Sequence, residues 1–203
     1  LEVRRLRDEL ETPNLFLKDD TRNPSGSTKD RASLLVVTKA AEYGCDTVAT
    51  ASTGNAASAL ADVAASAGTR AVVFVPAAAP PAKLAQIEAY GATLCRVPGT
   101  RQDTADAVLA AAETTYYASH SWNPFFFHGT KTYAYEVVEQ LGWRAPDVVV
   151  LPAGNGTLLL GAAIGFRELL SAGVIARLPR LIAVQAEGCA PLYREFHGLP
   201  AVA

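Results

Sequence analysis

Along most of the chain, short continuous apolar runs alternate with stretches whose apolar residues recur at helical spacing. Leu15-Phe16-Leu17-Lys18 alternates little and predicts a short buried strand. Between Ala32 and Tyr43 apolar residues fall at Leu34, Leu35, Val37, Ala41 and other helically spaced positions, which predicts a helix. Residues 46–50 predict a strand, and the turn Ala51-Ser52-Thr53-Gly54-Asn55 leads into an alanine-rich helix ending near Ala67, with Gly68 as its C-cap. Residues 71–75 predict a strand stopped by Pro76, residues 82–90 a helix closed by Gly91, residues 93–97 a strand, and residues 104–114 a helix. Residues 116–128 are aromatic and irregular, with a short strand at their start, and a helix follows over 130–141. Residues 147–151 predict a strand, apolar from Val148 to Leu151, that meets Pro152-Ala153-Gly154-Asn155-Gly156-Thr157 and a helix to Leu170. Residues 181–185 predict the last strand.

Strand and helix alternate at the spacing of parallel βαβ units, so the fold class is α/β. Right-handed crossovers would set the glycine-rich turns at the carboxyl ends of the strands, where open α/β sheets bind ligands. No repeat and no low-complexity linker interrupts the pattern, and the residues alone predict one α/β body.

Composition narrows the function classes. The chain has 203 residues, 50% apolar and 19% charged, with a net charge of −2. That balance argues against a broad nucleic-acid or membrane-surface footprint. No apolar run reaches a membrane span and no signal peptide opens the chain, so cytoplasm is the default expectation. Cys45, Cys95 and Cys189 are odd in number and lack metal-ligand spacing, which predicts buried free thiols in a reducing compartment and no metal site. There is no methionine, even at position 1. Either the sequence is an internal piece of a longer chain or modified methionines are missing from it, in which case some spacings shift.

Chemistry concentrates in three turns. Asn23-Pro24-Ser25-Gly26-Ser27-Thr28-Lys29-Asp30-Arg31 breaks directly into a helix. Ser25 or Ser27 can cap that helix, and Asp30 suits the positive end of its dipole. Lys29 has the wrong charge for a helix start, a local conflict of the kind functional sites carry. Taken alone, it reads as a solvated surface lysine. Ser52-Thr53-Gly54-Asn55 joins a strand to a helix, which makes it an anion site or an ordinary capping loop. Gly154-Asn155-Gly156-Thr157 has the same setting, and its successive N–H groups can form a nest for phosphate. It fits neither a Walker motif nor G-x-G-x-x-G, so a nucleotide-binding reading fails on spacing.

Together these turns resemble the threonine synthase branch of the fold-type-II (tryptophan synthase β-like) pyridoxal-phosphate enzymes. The first is similar to that branch's N-P-[ST]-G-S-x-K-D-R, the second to A-S-[ST]-G-N-A-A, the third to its phosphate loop. Ala82-Lys83-Leu84-Ala85-Gln86 with Tyr90-Gly91-Ala92, Gly129-Thr130-Lys131-Thr132 with Glu136, Pro146-Asp147 and Gln185-Ala186-Glu187-Gly188 extend the likeness over nearly the whole chain. The resemblance implies a pyridoxal 5'-phosphate cofactor bound to Lys29 as a Schiff base, which only a primary amine can form. It implies that Asn55 hydrogen-bonds the cofactor's phenolic oxygen and that Gly154, Asn155, Gly156 and Thr157 hold its phosphate. Ser52, Thr53 and Gly54 would embrace the substrate carboxylate.

The implied fold is a two-lobed, three-layer αβα architecture with open, mainly parallel sheets. Residues 1–38 and 128–203 would form the larger, cofactor-binding lobe, and residues 39–127 the smaller. The family continues past position 203, so the C-terminal part, with the hydroxyl that partners the pyridine nitrogen, is expected to be missing here. The implied reaction is lyase chemistry converting O-phosphohomoserine and water to L-threonine and phosphate, on a small amino-acid substrate, in a homodimer without nucleic acid or membrane. A serine/threonine dehydratase and a β-replacing synthase such as cysteate synthase share the Lys29 and Asn55 machinery. Rivals of another class are a non-catalytic degenerate paralogue or fragment, and a nest domain for some other anion. One departure concerns Asn123-Pro124-Phe125-Phe126-Phe127-His128, which lacks the arginine that often binds substrate phosphate in this branch. An aromatic wall is the simpler reading there, with His128, Lys83 and Lys131 as remaining cationic candidates.

Overall fold

Strands β1 (Thr47–Ala51), β2 (Arg70–Pro76), β3 (Thr93–Val97) and β4 (Tyr116–Tyr117) lie side by side, all parallel, in the order β3-β2-β1-β4. The computed structural model describes residues 3–200. Period-two alternation decides which side of this sheet each residue serves. Val48, Ala71, Val73, Val75 and Leu94 face helices α2 (Lys29–Glu42), α3 (Asn55–Ser66) and α4 (Pro81–Ala89). Ala49, Val72, Phe74, Cys95 and Val97 face α5 (Arg101–Ala111). The result is three layers, helices over and under a sheet; the residue pattern predicts the parallel sheet and the family resemblance implies the layering.

A second sheet pairs β5 (Val148–Pro152) with β6 (Arg180–Val184), again in parallel. Its inner face, Val149, Leu151 and Leu181, packs on α7 (Thr132–Gln140) and α8 (Thr157–Ser171). Its outer face carries Val150, Ile182 and Val184 at 60%, 41% and 53% exposure. The apolar run of β5 thus has the composition of a strand buried on both faces, while the described residues cover one.

Several expectations change. Residues 15–18 form no buried strand: only Phe16 makes a bridge, and it is 51% exposed with the Arg7 guanidinium stacked over its ring at 4.8 Å. Helix α5 starts three residues before the expected 104 because Thr100 and Asp103 form a reciprocal capping box. The irregular aromatic segment contains α6 (Pro124–Thr130), capped by the Asn123 side chain accepting from the Phe125 N–H at 3.0 Å, with Pro124 preset at its first turn. Short helices α1 (Arg4–Glu9) and α9 (Pro191–Phe196) and a 3-10 turn at Asp20–Arg22 carry too little periodicity to be read from sequence. None of the three free thiols is fully buried: Cys45 and Cys95 are half-buried and Cys189 is exposed.

Helix α6 is wedged between α2 and α8 by glycines. A β-carbon on Gly129 would overlap the Arg31 carbonyl and sit 2.7 Å from the Ala32 Cα. One on Gly161 would lie 2.8 Å from the Thr130 side chain, and one on Gly165 2.8 Å from the Ala134 Cβ. Gly129→Ala is therefore expected to destabilise by about 1–3 kcal/mol in chemical denaturation, because backbone rather than a flexible side chain would have to move. An unchanged midpoint would contradict this close approach.

Beside the wedge, the Arg31 side chain, 5% exposed, donates to both carboxylate oxygens of Asp20 at 2.8 and 3.1 Å and to Glu136 Oε2 at 2.7 Å. Lys18 Nζ also donates to Glu136 Oε2, at 2.5 Å, and to Gln140 at 3.1 Å. Burial works against the Arg31 cation, yet these carboxylates leave its pKa raised. The Arg31 hydrogen bond, against some burial penalty and with Lys18 assisting, holds the Glu136 carboxyl at about 2. A carboxyl depressed on folding stabilises above its unfolded pKa of about 4.3 and stops doing so as pH falls toward the folded value. The thermal midpoint is expected to drop between about pH 5 and pH 2. Glu136→Gln should flatten that drop and cost about 1 kcal/mol at neutral pH, a modest figure because Glu136 is partly solvated.

Candidate active site

Helix α2 runs down to a short turn and β1 runs back up, so Lys29, the first residue of α2, sits level with the carboxyl end of β1. The turn at 52–55 leaves that same end, and the turn at 154–157 leaves the carboxyl end of β5. The α6 wedge brings the two edges together. Gly129 meets Arg31 two residues after Lys29, while Thr130 meets Gly161 four residues after Thr157. At about 1.5 Å rise per residue, each helix start lies within about 6 Å, along its axis, of a common contact.

The loop before α2 is tied down on all sides. Asn23 Nδ2 donates to the Ser27 carbonyl at 3.0 Å, and the Ser25 hydroxyl and N–H donate to the Asp30 carboxylate at 2.8 and 3.3 Å. Gln86 Nε2 of α4 donates to the Ser25 carbonyl at 3.0 Å, and Gly26 takes a φ of +81°, open to glycine at little cost. Ser25 therefore serves Asp30 rather than capping the helix, while the Ser27 hydroxyl accepts the Lys29 N–H at 3.3 Å. The Lys29 side chain is half-buried, and among the described residues its ammonium has no hydrogen-bond or carboxylate partner. Burial lowers its pKa.

Neither of the turns at 52–55 and 154–157 is closed by a cap from outside. In the first, Gly54 donates its N–H to the Ser52 hydroxyl at 3.3 Å, Thr53 is half-buried, and no side chain caps α3. The N–H groups of Asn55 and Ala56 precede any helical acceptor. The Asn55 amide is exposed and has no partner among the described residues. In the second, Asn155 Oδ1 accepts from the Thr157 N–H at 3.2 Å and hydroxyl at 3.0 Å, and Gly156 is left-handed at φ +85°. The Asn155 and Thr157 side chains thus shape the loop. The backbone N–H groups of Gly154, Asn155 and Gly156 have no acceptor among the described residues. Those three N–H groups are the loop's open donors.

Two side chains complete the surroundings. His120, which nothing in the sequence pattern marks, is half-buried with its ring 6.3 Å from that of Phe126. Burial, then the charges of Lys29 and Arg101, lower its pKa. Thr28 Oγ1 is buried without a partner beside Lys29. Lys131, a candidate for substrate phosphate, is instead paired with Glu168 at 2.9 Å. Lys83 and His128 are exposed on their helices. Among the described residues no cluster of His, Cys, Asp or Glu can hold a metal, and no helix is long and apolar enough to cross a membrane. A half-buried free amine, an orphaned hydroxyl and open N–H donors suit a group that carries both a carbonyl and an anion.

A family model for pyridoxal-phosphate dependent enzymes matches residues 1–202. The chain belongs to this family. The threonine synthase of Methanocaldococcus jannaschii is 38% identical over 193 residues, 94% of this chain and 48% of that protein. The threonine synthase of Mycobacterium tuberculosis is 38% identical over 181 residues, 88% of this chain and 50% of that protein. The chain thus spans about half the length of the curated relatives it matches. Among solved structures, the processed form of threonine deaminase isoform 2 from Solanum lycopersicum aligns with TM-score 0.82 at 22% identity, covering 97% of this chain and 53% of that one. Maize serine racemase aligns with TM-score 0.77 at 20% identity, covering 92% and 55%. At those identities the likeness carries the fold, and the fold is that of fold-type-II pyridoxal-phosphate enzymes.

A desolvated amine loses its proton below the ordinary lysine range. Modification of Lys29 by an amine-directed reagent, followed by peptide mass spectrometry against pH, is expected to show a midpoint below the ordinary lysine value. A midpoint at that value would show that Lys29 is solvated.

Proposed function

We propose that this chain carries the lysine, asparagine and glycine-turn machinery of a pyridoxal-phosphate-dependent lyase resembling threonine synthase, acting on O-phosphohomoserine and water to give L-threonine and phosphate. The observation that carries this reading is the unpaired, half-buried Lys29 amine at an edge shared with two turns of open N–H donors. The cofactor, when bound, supplies an electron sink for charge developing on the substrate's carbons.

The chain's own groups do the rest. Lys29 Nζ, with its pKa lowered by burial, is the amine that would hold the cofactor, and as a free base it would take a proton from the substrate Cα and deliver it further along the chain of carbons. Asn55, neutral and exposed at the start of α3, orients the cofactor ring by donating to its phenolic oxygen. The N–H groups at 154–156 hold the cofactor phosphate within a loop shaped by Asn155 and Thr157. Ser52, Thr53 and Gly54 take the substrate carboxylate. Residues 1–38 and 128–203 form the cofactor lobe and residues 39–127 the smaller one, a division supported by the presence of one sheet in each. The whole enzyme is a cytoplasmic homodimer.

The test begins with trapping. The chain incubated with pyridoxal phosphate is expected to turn yellow, lose that colour on borohydride reduction, and carry the label on Lys29; Lys29→Ala should carry none. Absence of colour and label would favour a degenerate paralogue or a domain for another anion. Threonine and phosphate from O-phosphohomoserine support the proposed reaction. Ammonia from threonine, or phosphate replacement on O-phosphoserine, would move the assignment to a dehydratase or a β-replacing synthase.

A further inference from the structure

Gln185, at the end of β6, makes three hydrogen bonds through one side-chain amide. Its Nε2 donates to the carbonyls of Ala153 at 3.0 Å and Gly154 at 3.3 Å, and its Oε1 accepts from the Tyr193 N–H at 3.1 Å. The two carbonyls belong to the first peptides of the glycine turn, and Tyr193 lies in α9. A planar trans peptide holds its C=O and N–H on opposite edges, and no peptide bond described here is cis. Fastening the 153 and 154 carbonyls to Gln185 therefore turns the N–H groups of Gly154 and Asn155 the other way. Those are two of the three donors without an acceptor among the described residues. The far end of the turn is closed by Asn155 on Thr157, and Leu192 of α9 covers Gly156, its Cδ1 3.4 Å from where a β-carbon would stand.

We propose that Gln185 is a positioning residue that aims the turn's backbone donors at the anionic group of the cofactor. This rests on the reading of residues 154–157 as the phosphate cradle. The contrasting role is a strap that merely docks α9 through Tyr193. The two roles separate because aiming needs a donor at Nε2, whereas strapping needs only an acceptor at Oε1.

Gln185→Glu keeps the size and the acceptor but cannot donate to the two carbonyls when ionised. Its full chain is expected to bind pyridoxal phosphate roughly tenfold more weakly in equilibrium dialysis, the effect of leaving two carbonyls unpartnered. The phosphorus-31 resonance of the bound cofactor should move from its wild-type position. Gln185→Met, which removes donor and acceptor together, should weaken binding at least as far; weakening in Gln185→Met beside wild-type affinity in Gln185→Glu would show the strap and overturn the proposal, and wild-type affinity in Gln185→Met alone overturns it where the glutamate variant does not fold. Wild-type affinity and an unmoved resonance in both variants would overturn the proposal while leaving the cradle intact. A wild-type chain that is labelled at Lys29 yet shows a mobile, solvent-like phosphorus signal would overturn the cradle and the proposal together.

Discussion

Glycine at positions 129, 161 and 165 sets how near the helices at the centre of the molecule can come. Each lies inside a helix, where glycine costs about 1 kcal/mol relative to alanine. A β-carbon at Gly129 would meet the Arg31 carbonyl, and at Gly161 the Thr130 side chain, at separations no packed core tolerates. The overlap outweighs the propensity loss. With α6 seated this way, the first turns of α2 and α8 are held against one short segment, though they are more than a hundred residues apart. The relation between Lys29 and the turn at 154–157 is thus fixed by close packing at glycines rather than by any bond between the two.

Charge is distributed around that wedge so that one amine is left without a counterion. Arg31 has Asp20 and Glu136, Lys18 shares Glu136, and Lys131 has Glu168. The carboxylate partners of Arg31 and Lys131 favour their protonated forms. Lys29, a few residues away, has no carboxylate partner among the described residues, and burial alone lowers its pKa. Asp30, its neighbour in sequence, is turned back to the Ser25 N–H and hydroxyl. The Lys-Asp-Arg triplet therefore divides its work among an unpaired amine, a loop tie and an ion-pair anchor.

Much of this was legible from residue order. Strands β1, β2, β3, β5 and β6 and helices α2, α3, α4 and α8 follow directly from apolar spacing and from turn residues at their ends. What escaped had a local or a distant cause. The start of α5 depends on two short polar side chains exchanging bonds, and α6 on an Asn-Pro cap beneath an aromatic composition that lacks helical spacing. Residues 15–18 look like a strand because apolar residues are contiguous, yet an apolar run makes no ladder without a neighbouring strand. His120 carries no motif; it lies between β4 and α6 with its ring against Phe126, close enough for the charge of Lys29 to act on it. The site turns were recognisable because strand-glycine-helix junctions have a sequence form. Which of their groups stay open was not, since the inward turn of Asn155 and the Gln185 bonds depend on three-dimensional neighbours.

The same contrast separates two kinds of recognition at this edge. Segment 123–128 offers an aromatic surface in place of an arginine, and Lys131 is already paired, so the open anion donors are peptide N–H groups. Peptide N–H groups do not titrate in the physiological range, and their aim depends on backbone geometry rather than on side-chain charge. Lys29 and His120 do titrate, and burial lowers both, with the charges of Lys29 and Arg101 adding to the shift at His120. On the proposed reading, holding an anion and moving a proton fall to separate parts of the chain. The first rests on peptide donors that do not titrate in the physiological range, the second on desolvated bases that do.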